Sequence, residues 1–150
     1  MADLTVTVTE SVTLNGAVRG STNTLTQASV IDVFERIVTC THSQETTVAR
    51  FATSPYTDPV AIDVDRTKYV RITNLDAAGE IEVAFVGTAT LYQVRLRAGA
   101  SHVLFNGDEL LLAEADTTPS FGTMESIASI IVKPIGTSYN PQIEVFVGLV

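Results

Sequence analysis

The chain opens on a near-unbroken alternation of apolar and hydroxyl side chains. In "LTVTVTESVTL", Leu4, Val6, Val8, Val12 and Leu14 share one parity, and Thr5, Thr7, Thr9, Ser11 and Thr13 share the other. Successive side chains of a strand point to opposite faces, so the pattern predicts a β-strand with one apolar and one polar face. Asn15-Gly16 follows. That dipeptide between alternating runs is the strongest short hairpin signal, because both residues tolerate positive φ. Gly20 leaves open whether the loop ends at Ala17 or near Ser21. In the next run, residues 24–41, the phase changes: Val30, Phe34 and Val38 share one parity, Ile31, Val33 and Ile37 the other. A β-bulge or a strand covered on both faces would each produce this. A helix through Ile31, Phe34 and Val38 fits the spacing, but the flanking threonines disfavour it.

"THSQETT" reads as a loop and "TVARFAT" as a short strand that ends before Ser54-Pro55 and Asp58-Pro59, where proline removes ladder donors. "VAIDVD" and "KYVRITNL" read as a pair, with Val70, Ile72 and Leu75 inward and Arg71 outward. Asp76–Gly79 turns into a strand through Ile81, Val83 and Phe85. Next comes one with Tyr92, Val94 and Leu96 against Gln93, Arg95 and Arg97. Turns at Ala98-Gly99 and Asn106-Gly107-Asp108 flank "SHVLF". Met124, Ile127, Ile130 and Ile131 permit one helical turn, while "SIIVKPI" reads equally well as a strand broken by Pro134. "IEVFVGLV" is a final strand. Many short strands with Gly, Asn and Pro between them predict an all-β, single-domain antiparallel sandwich. It is jelly-roll-like, holds at most one short helix, and spans residues 1–150 with residues 1–14 as a pairing strand or arm.

Composition narrows the function classes. A length of 150 residues suits one domain with a real core. Only 17% of residues are charged, below the usual ~25%. The net charge of −8, with nine scattered basic residues, disfavours nucleic acid and anionic membrane surfaces as partners. The start, "MADLTVT", has no signal-peptide pattern, and no apolar run approaches a bilayer span. One cysteine, Cys40, excludes an internal disulfide framework and fits cytoplasmic synthesis.

Candidate chemistry is sparse. His42 and His102 are the two histidines, and no G-x-S-x-G elbow or ligand-spaced cluster accompanies them. His42 reads as a loop residue, and His102 as a turn cap. Cys40 and His42 would share a strand face, but without an orienting carboxylate the thiol reads as a small core hydrophobe. Asp58, Asp63 and Asp65 are the calcium candidates. Arg66 and Lys68 follow directly and no Gly-centred loop is present, so a solvated edge with surface ion pairs is the preferred reading. Arg95 and Arg97 read as a solvent row paired with Glu80, Glu82 or Glu109. The expectation is therefore no enzyme and no cofactor.

Two strands look unfinished instead. The first carries Glu10 as its sole charge between Leu4 and Leu14, and the last ends "VFVGLV" without a gatekeeping charge. Exposed edges of that kind pair with other chains unless they lie inside the sheet. Leu4, Val6, Val8, Val12, Ile143, Val145, Val147 and Leu149 are accordingly the candidate interface residues.

The segments "TVTVTESVTLNGAVRGSTNTLT", "YVRITNLD" and "VRLRAGASHVLFNG" resemble those of small virion structural proteins of tailed, particularly marine, bacteriophages, of the capsid decoration or cement type. The resemblance implies a β-sandwich, a homotrimer and the major capsid protein as partner. It places the protein on the outer surface of the head, where it would stabilise contacts between capsid subunits. A tail, fibre or vertex component is the nearest rival. A carbohydrate-binding sandwich is a rival of another class, which would use Tyr56, Tyr69, Tyr92 or Tyr139.

Overall fold

The computed structural model describes residues 2–57, 61–107, 111–112 and 122–150. Every regular element among them is a strand: β1 (Ala2–Thr9), β2 (Val12–Leu14), β3 (Ala17–Arg19), β4 (Thr22–Val30), β5 (Asp32–Thr39), β6 (Thr46–Ala52), β7 (Ile62–Asp63), β8 (Thr67–Asn74), β9 (Ile81–Val86), β10 (Leu91–Leu96), β11 (Ser101–Leu104), β12 (Leu111–Leu112), β13 (Met124–Glu125), β14 (Ser129–Pro134) and β15 (Gln142–Leu149). The helical alternatives at Ile31–Val38 and Met124–Ile131 are thereby corrected: β-branched side chains favour strand at both places. Asp108 and Glu109, named above in a turn and an ion pair, lie outside the described residues.

Two sheets make the body. One has the order β10-β9-β14-β6-β7, the other β11-β8-β15-β5. All pairings are antiparallel except β6 with the two-residue β7. The eight principal strands, taken in chain order from β5, fall as first-eighth-third-sixth in one sheet and second-seventh-fourth-fifth in the other. That is the double Greek-key order of a jelly-roll-like sandwich.

One core cluster joins both sheets, as alternation requires when one face of each is covered. Ile81, Val83, Phe85, Ile130 and Val132 come from one sheet, and Val70, Ile72, Ile143, Val145 and Val147 from the other. Burying each contributes about 1.5–3 kcal/mol. Phe34 and Val38 pack against this core while Ile31, Val33 and Ile37 are exposed. The phase change near Val30 is the bulge alternative and not a strand covered on both faces: β4 slips register against β1 between Gln27 and Val30, with Ser29 at φ 63°, just before β5 begins. Leu75 is exposed. Alternation gives the inward place after Ile72 to Asn74, whose buried amide nitrogen donates to the carbonyls of Gly79 and Arg97 at 2.8 and 3.2 Å.

On one side, the edges of the two sheets are closed by an aromatic clasp. Tyr92 of β10 stacks on Phe85 at 4.8 Å, and its hydroxyl lies 3.3 Å from Nε2 of His102 on β11. On the other side β5 ends its sheet without a further strand among the described residues.

Candidate functional site

The N-terminal segment forms an arm. β1 pairs only with β4, and β2 only with β3. One register runs from Leu4 opposite Gln27, through Thr9 opposite Thr22, to Leu14 opposite Ala17. The Glu10 amide bridges the gap by donating to the Ser21 carbonyl at 2.9 Å. Asn15 and Gly16 make the tight turn at φ 52° and 77°, the combination that suits a two-residue hairpin loop. Gly20 is obligatory for a different reason: a Cβ there would stand 2.0 Å from the Glu10 carbonyl oxygen. At about 3.3 Å per residue the ribbon extends about 33 Å from Leu4 to Leu14.

Directly opposed residues of an antiparallel pair share a face. Thr5, Thr7 and Thr9 stand opposite Thr26, Thr24 and Thr22, and hydroxyl contacts of 3.2 and 3.3 Å join the last two pairs. The other face holds Leu4, Val6, Val8 and Leu25, and continues through Val12 and Leu14. Its root is seated on the body. Leu4 Cδ2 fills the space above Gly148, 3.0 Å from where a Cβ would stand. Leu4 to Thr7 line a cleft with Tyr69, Arg71 and Phe146 on the outer face of the four-stranded sheet. Arg71 is held there by Glu144 at 2.6 Å and Thr73 at 2.7 Å. Beyond the root, Val8, Val12, Leu14 and Leu25 are exposed.

The sequence-predicted interface thus divides in two. Leu4 and Val6 are half-buried at the root, and Val8 and Val12 are free on the arm. Ile143, Val145, Val147 and Leu149 are corrected: β15 lies between β8 and β5, and these four side chains are in the core. The chain itself finishes that strand.

The candidate chemical groups are dispersed. Cys40 is buried, its thiol pushed up by desolvation and partly offset by a hydrogen bond with Thr46. The His42 ring pairs with Ser43 at 3.2 Å and its amide donates to Asn140, so the thinkable Cys-His pair is not brought together. His102 is not a turn cap. It lies in the clasp between the sheets, and burial lowers its pKa. Burial likewise pushes the Tyr92 phenol up to about 12. Asp63 accepts from the Asp65 amide and pairs with Arg66 at 3.4 Å, the ion-paired edge preferred above. Asp58 lies outside the described residues, and among those described no cluster of three metal-ligating side chains occurs. Arg95 pairs with Glu80 at 3.1 Å.

An exposed stripe at β5 was not singled out as a surface by the sequence reading. Val33 and Ile37 stand exposed on the outer face of this edge strand, with Ile31 exposed just before it and Val33 opposite Gly148. The parity was visible, but which parity faces solvent depends on the opposing sheet. Of the tyrosines, Tyr69 is buried and Tyr92 serves the clasp, while Tyr56 and Tyr139 sit in separate loops. They form no row on a sheet face of the kind a sugar-stacking platform needs. No protein-family model, no curated protein and no solved structure matches this chain.

Proposed function

We propose that this protein is a structural assembly module that holds neighbouring subunits together and performs no catalysis. The setting we propose is the outer surface of a tailed-phage head, as a decoration protein stabilising contacts between major capsid subunits. One observation carries the assembly reading: the Leu4–Gln27 ribbon stands off a fully formed sandwich with its apolar face uncovered beyond Val6. A ribbon of two strands is marginal alone in water, and an exposed apolar sheet surface is a template for association. The jelly-roll-like strand order supports a virion setting, since capsid proteins use it among other classes. Fold alone does not assign function, so the phage setting rests on the resemblance of the strand and turn segments.

Repetition makes such an arm effective. Many weak contacts on a symmetric shell act together, and the avidity exceeds any single affinity by ~10²–10⁴. The test is co-sedimentation of the purified protein with expanded shells built from the major capsid protein of the phage that encodes it. Saturable binding at hundreds of copies per shell is expected, and replacing Val8 and Val12 with glutamate should abolish it. Absence of binding by the unaltered protein, or a location confined to tails at few copies per particle, would refute the decoration role.

A further inference from the structure

We infer that Asn15 is a covalent modification site: it converts spontaneously to isoaspartate, and that conversion undoes the distal half of the arm. The effect on assembly rests on reading Leu4–Gln27 as a contact element, and the conversion itself does not.

The chain has five asparagines, and the residue after each decides its chemistry. Ring closure needs the following main-chain nitrogen to reach the side-chain carbonyl carbon, which is easiest when that residue is glycine. Asn23 and Asn74 precede Thr24 and Leu75, whose side chains shield the nitrogen, and Asn140 precedes Pro141, which has no N–H to lose. Asn15-Gly16 and Asn106-Gly107 remain. The fold separates these two. Gly107 is buried, its amide donates to the Thr67 carbonyl at 3.3 Å, and its carbonyl accepts from the Ile127 amide at 3.1 Å. A Cβ there would stand 2.8 Å from Thr67 Cγ2, so the backbone has no room to turn. Asn15 and Gly16 are exposed, and nothing lies within 4 Å of where a Gly16 Cβ would stand.

While the turn is closed, Asn15 is held at φ 52°, in the left-handed region, where the next nitrogen points away from its side chain. The reaction therefore runs through opening of the tip. That opening is easy, because β2 and β3 are three residues each and pair only with one another, and a two-stranded ribbon is marginal in water. In the opened turn the Gly16 nitrogen attacks Cγ of Asn15. The new N–C bond closes a succinimide ring, and the bond from Cγ to the side-chain nitrogen breaks. Ammonia leaves with the proton lost from Gly16. Water then adds to either ring carbonyl and reopens the ring, with no oxidation or reduction at any step. One opening gives aspartate, which tolerates positive φ and keeps a favoured two-residue loop. The other gives isoaspartate, whose main chain runs through the side chain and is longer by one methylene. The pairing of Leu14 with Ala17, Thr13 with Val18 and Val12 with Arg19 depends on the length of that loop. Below the Glu10–Ser21 bond, β1 and β4 keep a ladder of their own. Val12 and Leu14 thus lose their common face while Leu4 and Val6 stay seated.

Fresh and aged full-length protein, kept at physiological temperature and pH and mapped by peptide mass spectrometry, tests the inference. Asn15 should convert at least about tenfold faster than Asn106, the ratio produced by about 1.4 kcal/mol of barrier. An isoaspartyl methyltransferase should methylate the aged arm peptide. Hydrogen exchange should show β2 and β3 amides losing protection with age, while those of β8 and β15 keep theirs. Asn15→Gly retains a favoured turn pair and should age without either change. An unconverted Asn15, equal conversion at Asn15 and Asn106, or isoaspartate at position 15 with β2 and β3 still protected would each overturn the inference. Aged protein should also bind expanded shells less than fresh protein, and aged Asn15→Gly should bind in full. Equal binding by fresh and aged protein would overturn the effect on assembly. Fresh protein that fails to bind shells would refute the decoration role and leave the modification standing.

Discussion

Asn74 shows how one polar side chain can organise several turns. It is fully buried. Its amide nitrogen donates to Gly79 and Arg97, its Oδ1 accepts from the Asp76 amide at 3.1 Å, and its backbone bonds both Gly99 and Ala100. Asn74→Ala should cost about 2–3 kcal/mol in urea unfolding, since it strands a buried acceptor set. His102 makes a second prediction. Burial lowers its pKa below the ordinary 6.5, so the unfolded chain binds the proton more readily than the folded one. Stability should therefore rise as pH increases through the interval between the lowered value and 6.5, and fall on acidification through it. Thermal melts of His102→Phe should lose that part of the pH dependence. Asp76 acts in a lower range: Gly79 and Ala78 amides hold its carboxyl below 3.8, so its contribution is present at neutrality and disappears on strong acidification.

At the scale of elements, the arm depends on a position without a side chain. Gly20→Ala would drive a methyl into the Glu10 carbonyl, breaking the register between the two halves of the hairpin. Hydrogen exchange at the Glu10 amide should accelerate, while amides of β8 and β15 keep their protection and the melting temperature of the body stays unchanged. The hairpin itself was legible, because Asn15-Gly16 and strict alternation are local signals. Its exposure was not. Alternation distinguishes two faces without saying which is covered, and that depends on partners far away in sequence. The same gap explains the misplacement of Ile143, Val145, Val147 and Leu149. Nothing within β15 reveals that β8 and β5 flank it. Leu75 erred differently: hydropathy favoured it over Asn74, but parity and the carbonyl acceptors of Gly79 and Arg97 won.

For the whole molecule, the separation of a closed body from an open arm suits assembly. The core is complete without a partner, so contact surfaces can change while the fold persists. Texture and turn residues made the all-β sandwich readable. The strand order was not readable, because it is set by pairings between segments far apart in the chain, such as Leu149 of β15 with Asp32 of β5. Cys40 carries a practical consequence. The sole thiol of the chain is fully enclosed and its ionisation is suppressed, and thiolate is the reactive form. A maleimide reagent should therefore leave the native protein unlabelled and modify it only when the sandwich opens. Labelling rate, followed by mass spectrometry, becomes a clock for that opening, and assembly that slowed the clock would show that neighbours restrain the body as well as grip the arm.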